Sequence, residues 1–71
     1  MKPLPFREVK RKLEAAGFKE AGQTGSHLKF ARTTAAGTRT ATVPKHHEVA
    51  PGTLRSILRQ AGISANEFDA L

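Results

Sequence analysis

The 71-residue sequence contains no cysteine, no tryptophan and no tyrosine. Without cysteine the chain has no disulfide framework, no thiolate zinc site and no thiol nucleophile. It also lacks an apolar run of the ~18 residues that a membrane-spanning helix needs, and its N-terminus lacks the apolar segment of a signal peptide. We therefore expect a cytoplasmic protein without a membrane partner.

Aromatic residues are scarce, because four phenylalanines are the whole aromatic set. Modules that bind single-stranded RNA by base stacking use exposed aromatic side chains. Phe6 and Phe30 lie on apolar stripes, while Phe18 and Phe68 flank helices, so we expect all four in the core. The sequence also lacks a glycine-rich phosphate loop, paired carboxylates and a Ser-His-Asp series. These absences disfavour stacking-based readers, nucleotide hydrolases and glycosidases.

Positive charge is abundant and unevenly placed. The net charge is +6, with a pI near 10.6. Residues 1–45 carry ten Lys or Arg against three Glu, a net charge of +7, whereas residues 46–71 have a net charge of −1. This asymmetry favours a polyanionic partner bound by the first two-thirds of the chain. The simpler alternative is a solvated basic surface that aids solubility.

The length fits one domain over residues 1–71 with a thin core. Apolar residues at helical spacing predict a first helix over residues 5–16, with Pro5 at its first position and Gly17 after its end. Lys10, Arg11 and Lys12 are placed on or near its polar side. Three short strands follow, over residues 18–23, 26–32 and 39–43.

The remaining residues predict a loop over 45–50 and a second helix that begins near Pro51 and ends at Gly62. Ser64 and Glu67 form a capping-box pattern that opens a short final helical turn. The fold class is therefore α+β with the order α-β-β-β-α. Both helices should cover one face of a three-stranded antiparallel sheet and leave the other face to solvent or a partner.

The segment Gly-Ser-His-Leu-Lys-Phe, residues 25–30, carries the main candidate site. In a strand, Leu28 and Phe30 share the buried face, so His27 and Lys29 share the open one. Gly25 leaves access to this site. Histidine titrates near neutrality, where general acid–base catalysis is effective. The alternative is a surface histidine without chemistry.

His46 and His47 are the other histidines. Neighbouring side chains of an extended chain point apart, so this pair with Glu48 indicates a metal site only weakly. A phosphate contact by His46 or Lys45 is the better hypothesis, and a metal-dependent nuclease is a third alternative.

Four segments resemble the HicA toxin family in order and spacing, over about residues 3–71. They are Leu-Glu-Ala-Ala-Gly-Phe (13–18), Gly-Ser-His (25–27), Val-Pro-Lys-His (43–46) and the helix from Pro-Gly-Thr-Leu to Ser64 with Glu67-Phe68. The resemblance implies a fold like that of double-stranded-RNA-binding domains. It also implies an mRNA interferase held inactive by a HicB antitoxin.

The resemblance places the catalytic histidine of the family at His27. Leu28 follows it, where family members commonly carry a second histidine or an aromatic residue. The predicted function is thus a metal-independent endoribonuclease without a cofactor, with mRNA and a HicB-like antitoxin as partners. The predicted RNA contacts are Ser26, Lys29, Lys45 and His46 near the site and Lys10, Arg11 and Arg39 along the flanking backbone. The alternative function is a non-catalytic RNA-binding module of the same fold.

Overall fold

Two helices lie on one face of a three-stranded antiparallel sheet in the computed structural model, which describes residues 1–71. The helices are α1 (Phe6–Ala15), α2 (Pro51–Ala61) and the short α3 (Ala65–Asp69). The sheet has the order β2 (Lys19–Thr24), β3 (His27–Thr34) and β4 (Gly37–Pro44), and two-residue strands β1 (Leu4–Pro5) and β5 (Glu48–Val49) pair separately. The predicted α-β-β-β-α order is confirmed.

Alternation along β3 and β4 separates a buried face from an open one. Leu28 lies opposite Val43 and Phe30 lies opposite Ala41, and all four are buried. Both strands are longer than predicted, and only two alanines connect them. Pairing continues to the turn, where Thr34 lies opposite Gly37, and the hydroxyls of Thr33 and Thr38 are hydrogen-bonded across the strands at 3.0 Å.

One apolar cluster joins the helices to the buried face of the sheet. Three of the four phenylalanines are buried and the fourth packs against the cluster, which confirms that the aromatic residues form core. The buried members are Val9, Leu13, Phe18, Leu28, Phe30, Ala41, Val43, Val49, Leu54, Ile57, Leu58, Ala61, Ile63 and Phe68.

Several predicted boundaries are confirmed and others shift. Gly62 ends α2 in a left-handed conformation with φ 72°, and both hydrogen bonds of the capping box at α3 are present. Pro5 belongs to β1 and precedes α1 rather than opening it. Part of the predicted loop over residues 45–50 is strand β5, which pairs with β1. Two-residue strands are too short to show an alternating pattern in the sequence.

Lys12 was expected on the polar side of the first helix, but it is buried. Its Nζ donates to the carbonyl oxygen of Phe68 at 2.9 Å and lies 5.2 Å from the centre of the Phe68 ring. Longer contacts reach the main-chain oxygens of Asp69 and Leu71. Carbonyls at the end of a helix lack intrahelical partners, so a cation satisfies them well. Lys12 therefore holds α3 against α1.

We predict that Lys12→Met lowers the free energy of unfolding by about 1–2 kcal/mol, because the carbonyls at the end of α3 lose their charged donor. Urea denaturation measures this change. Lys10→Met is the matched control on the same helix, since its ion pair with Glu20 is exposed and should contribute little. Equal stability of the Lys12 variant and wild type would show that the buried ammonium is not stabilising.

Candidate functional site on the open face of the sheet

The open face is organised in rows of directly opposite residues. Thr24, His27 and Pro44 form one row, which we call the histidine row. Gly22, Lys29 and Thr42 form the adjacent row, which we call the lysine row. Cβ atoms of directly opposite residues lie about 4.5–5.5 Å apart, so side chains within a row are in mutual reach.

A β-bulge in β2 opens a recess beside these rows. The register with β3 shifts between Glu20 and Gly22, which leaves Ala21 as an extra residue. Bulges bend a strand locally and are common near active sites. The recess has a volume of about 250 Å³. It is lined by Ala21, Gly22, Gln23, Thr24, His27, Lys29 and Thr42.

A tight turn positions His27 as the first residue of β3. Gly25 and Ser26 are the two turn residues. Gly25 has φ 58° and the φ of Ser26 is negative, which fits a type II′ hairpin turn. The Gln23 side-chain amide donates to the Gly25 carbonyl at 3.0 Å. A Cβ atom at Gly25 would meet nothing within 4 Å. The positive φ of Gly25 is thus the reason for a glycine at this position. Close approach of another part of the backbone is not the reason, because none comes near it.

The recess is free of carboxylates, since none of its lining residues is acidic. Both ion pairs of the chain involve α1, where Lys10 binds Glu20 at 2.6 Å and Arg11 binds Glu8. The Glu20 contact raises the pKa of Lys10, and the hydrogen bond from Arg11 lowers the pKa of Glu8. Lys29 has no such partner, so its charge remains available to an anion.

Three predicted RNA contacts lie away from His27. Lys10 and Arg11 are on α1, in the layer that covers the buried face. Arg39 lies opposite Arg32, and its guanidinium lies against Gly62 at the end of α2. A Cβ atom placed at Gly62 would be only 2.8 Å from it. The structure therefore does not bring these cations together with the imidazole, and their RNA contacts stay a prediction.

The other predicted contacts lie near the end of the sheet that carries His27. Ser26 immediately precedes it, and the Ser26 carbonyl accepts a hydrogen bond from the Lys45 backbone N–H at 2.6 Å. This bond places the start of the segment that carries His46 beside the turn. No group of three or more His, Cys, Asp or Glu side chains is arranged to hold a metal ion. The metal-dependent alternative therefore lacks an assembled set of ligands.

Leu28, which follows His27, points to the opposite side of the sheet. It is only 5% exposed and belongs to the apolar core. A side chain at this position contributes to packing and not to the recess.

Sequence reasoning did not identify Gly22, Thr24 and Thr42 as site residues. Gly22 is an isolated glycine in a strand, which is a signal for a bulge. The alternation of side chains along the strand already places Thr42 on the open face. Their place in the recess depends on the register of three strands. Thr42 is also anchored from α2, because its backbone N–H donates to the Gln60 side-chain oxygen at 3.0 Å.

The fold and the recess define a small basic α+β protein whose uncovered sheet face presents an imidazole beside an unpaired ammonium group. A sequence model described as the HicA toxin of bacterial toxin–antitoxin systems matches residues 6–63. The chain belongs to this family and is a toxin of a toxin–antitoxin system. No curated protein sequence matches the chain. None of its helices is long and apolar enough to cross a membrane.

We predict that Gln60→Ala increases the hydrogen-exchange rate of the Thr42 amide by about 5-fold, because the amide loses a hydrogen bond worth about 1 kcal/mol. Exchange followed by NMR measures it. Gln23→Ala is the control, because the side-chain hydrogen bond of Gln23 goes to the Gly25 carbonyl of the turn and not to Thr42. An unchanged exchange rate of the Thr42 amide would mean that the hydrogen bond to Gln60 does not protect this edge of the sheet.

Proposed function

We propose that this toxin is a metal-independent endoribonuclease that cleaves mRNA in the cytoplasm and is neutralised by a HicB-like antitoxin. The observation that carries the proposal is the exposed His27 in a carboxylate-free recess beside Lys29. Membership in the HicA toxin family supports it from an independent direction. The net charge of +6 suits a polyanionic substrate.

RNA suits this site because it carries its own nucleophile. The ribose 2′-hydroxyl attacks the adjacent phosphorus, the bond to the 5′-oxygen breaks, and a 2′,3′-cyclic phosphate remains. His27 accepts the proton of the 2′-hydroxyl, and the resulting imidazolium returns a proton to the departing 5′-oxygen. One positioned acid–base group contributes about 10²–10⁴-fold to the rate. The recess contains one imidazole, so this scheme assigns both proton transfers to His27.

Charge stabilisation is the second requirement of the reaction. Lys29 is the residue next to His27 on the same face, and it has no carboxylate partner. Its ammonium group would stabilise the negative charge that develops on the phosphoryl oxygens. Ser26 and Lys45, at the same end of the sheet, would contact the neighbouring phosphates.

The same features support a binding surface for an antitoxin. His27 and Lys29 are exposed on the open face, and the free cation beside His27 favours a partner with surface carboxylates. An antitoxin that covers His27 would exclude RNA by occupying its site. A structure of the complex that leaves His27 exposed would contradict this direct mode of inhibition.

We predict that wild-type protein cleaves a labelled mRNA in EDTA and that His27→Ala lowers the cleavage rate by at least about 10²-fold. RNA binding should change little, because the substitution removes no permanent charge. Gel-based cleavage assays and filter binding measure the two quantities. His47→Ala is the matched control, since this exposed histidine lies outside the recess.

Equal cleavage by wild type and the His27 variant would refute the catalytic role. RNA binding without cleavage by either protein would favour a non-catalytic RNA-binding module. Loss of wild-type activity in EDTA, restored by a divalent cation, would favour the metal-dependent alternative.

We predict that Lys29→Ala lowers the slope of log affinity against log salt concentration by about 0.7, the value for one contact to single-stranded RNA. Lys10→Ala should change the slope less, because Glu20 already neutralises that ammonium group. Binding titrations at several salt concentrations measure both slopes. A larger effect of Lys10 would place the RNA path on α1 instead of the open face.

A further inference from the structure

We propose that the lysine row is the subsite for the phosphoryl group of the bound RNA, with Thr42 as a second ligand and Gly22 as the gap that admits it. The proposal rests on the proposed ribonuclease function and adds residues that neither the sequence nor the family match assigned. Gly22, Lys29 and Thr42 lie directly opposite one another on the three strands, and all three line the recess.

The Thr42 hydroxyl is available to a ligand. On the same face, the hydroxyls of Thr33 and Thr38 are hydrogen-bonded to each other. Thr42 uses its backbone N–H for the contact with Gln60, and its hydroxyl makes none of the side-chain hydrogen bonds of the chain. It is half-buried at the edge of a recess that contains a cation. A free hydroxyl beside an ammonium group is a suitable donor set for a phosphoryl oxygen.

Gly22 leaves space at the other end of the row. A Cβ atom built there would have no neighbour within 4 Å, so the volume beside Lys29 is open at this position. Gly22 also has φ 159°, which residues with a side chain rarely adopt. The bulge at Ala21, a feature that bends a strand locally, lies at this point, and Ala21 also lines the recess. A ligand held by Lys29 and Thr42 would therefore extend over Gly22.

The lining of the recess selects the sugar–phosphate backbone over the base. It contains hydroxyl, amide, imidazole and ammonium groups but no Phe, Tyr or Trp ring. Three of the four phenylalanines are buried in the core, and the fourth is partly buried against it. Base stacking on Phe, Tyr or Trp rings, the usual source of affinity for single strands, is thus absent from the site. The subsite is expected to bind RNA with little preference for the base at this position.

The adjacent row places this ligand next to the acid–base group. Two residues along a strand span about 6.6 Å, and His27 is two residues from Lys29 on the same face. An imidazole and a lysine side chain together bridge this separation. If a phosphoryl group is bound in the lysine row, the ribose oxygens next to it therefore lie within reach of His27.

The test replaces the hydroxyl without disturbing the strand. Thr42→Val keeps the β-branched shape and should lower kcat/KM for mRNA cleavage by about 10-fold, the cost of one hydrogen bond to a charged group. Thr42→Ser should restore most of the activity, because the hydroxyl returns. Thr40→Val is the matched control, since Thr40 is on the same strand and face but outside the recess.

A second variant, at Gly22, places a side chain in the open space beside Lys29. Gly22→Val should weaken RNA binding and cleavage together, and it counts only if its thermal unfolding matches that of wild type, because φ 159° at Gly22 makes a side chain there strain the backbone. Ala31→Val, on the open face outside the recess, should leave both unchanged. Thermal unfolding of every variant identifies losses that come from misfolding. Wild-type kinetics in folded Thr42→Val would overturn the subsite, as would an equal loss in Thr40→Val.

His27→Ala distinguishes failure of this proposal from failure of the proposed function. If His27→Ala is inactive and Thr42→Val is fully active, the enzyme is a ribonuclease and the lysine row is not its phosphoryl subsite. If His27→Ala is fully active, the ribonuclease mechanism fails, and the subsite proposal fails with it. A cleavage preference for one base that persists in oligonucleotides differing only at the cleavage position would contradict the expected lack of base readout.

Discussion

The alternation of side chains along β3 is the constraint on which the rest of the structure depends. Burial of Leu28 and Phe30 in the core commits His27 and Lys29 to the opposite face. A shift of one residue would expose two large apolar side chains and bury an imidazole and an ammonium group. The apolar core therefore fixes the candidate site, although the site itself is exposed.

Part of the positive charge of the chain is already held by partners within the protein. On the helical side, several cations already have partners: Lys10 binds Glu20, Lys12 binds carbonyls at the end of α3, and Arg32 donates to the carbonyl oxygen of Ala16. On the open side Lys29 has none. The net charge of +6 is thus a poor measure of what a polyanion meets, and the unpaired cation beside His27 is the better one.

Much of the fold follows from local patterns. The first helix, the glycine stop of the second and the capping box at Ser64 depend on neighbouring residues, and the structure confirms them. The pairing of β1 with β5 does not follow, because two-residue strands have no period and meet only when the chain folds. Burial of Lys12 is similar, since it depends on α3, more than fifty residues further along the chain.

The sequence by itself determined the order of the elements, the face on which His27 stands and, through its motifs, the family. Only the tertiary structure decided which side chains surround the imidazole. Gly22, Lys29 and Thr42 come from three strands, and a register across strands together with a bulge brings them into one row. Hydrophobic alternation specifies the face of each residue, but it does not specify the opposite residue. That choice is made by turn geometry and by packing against the helices.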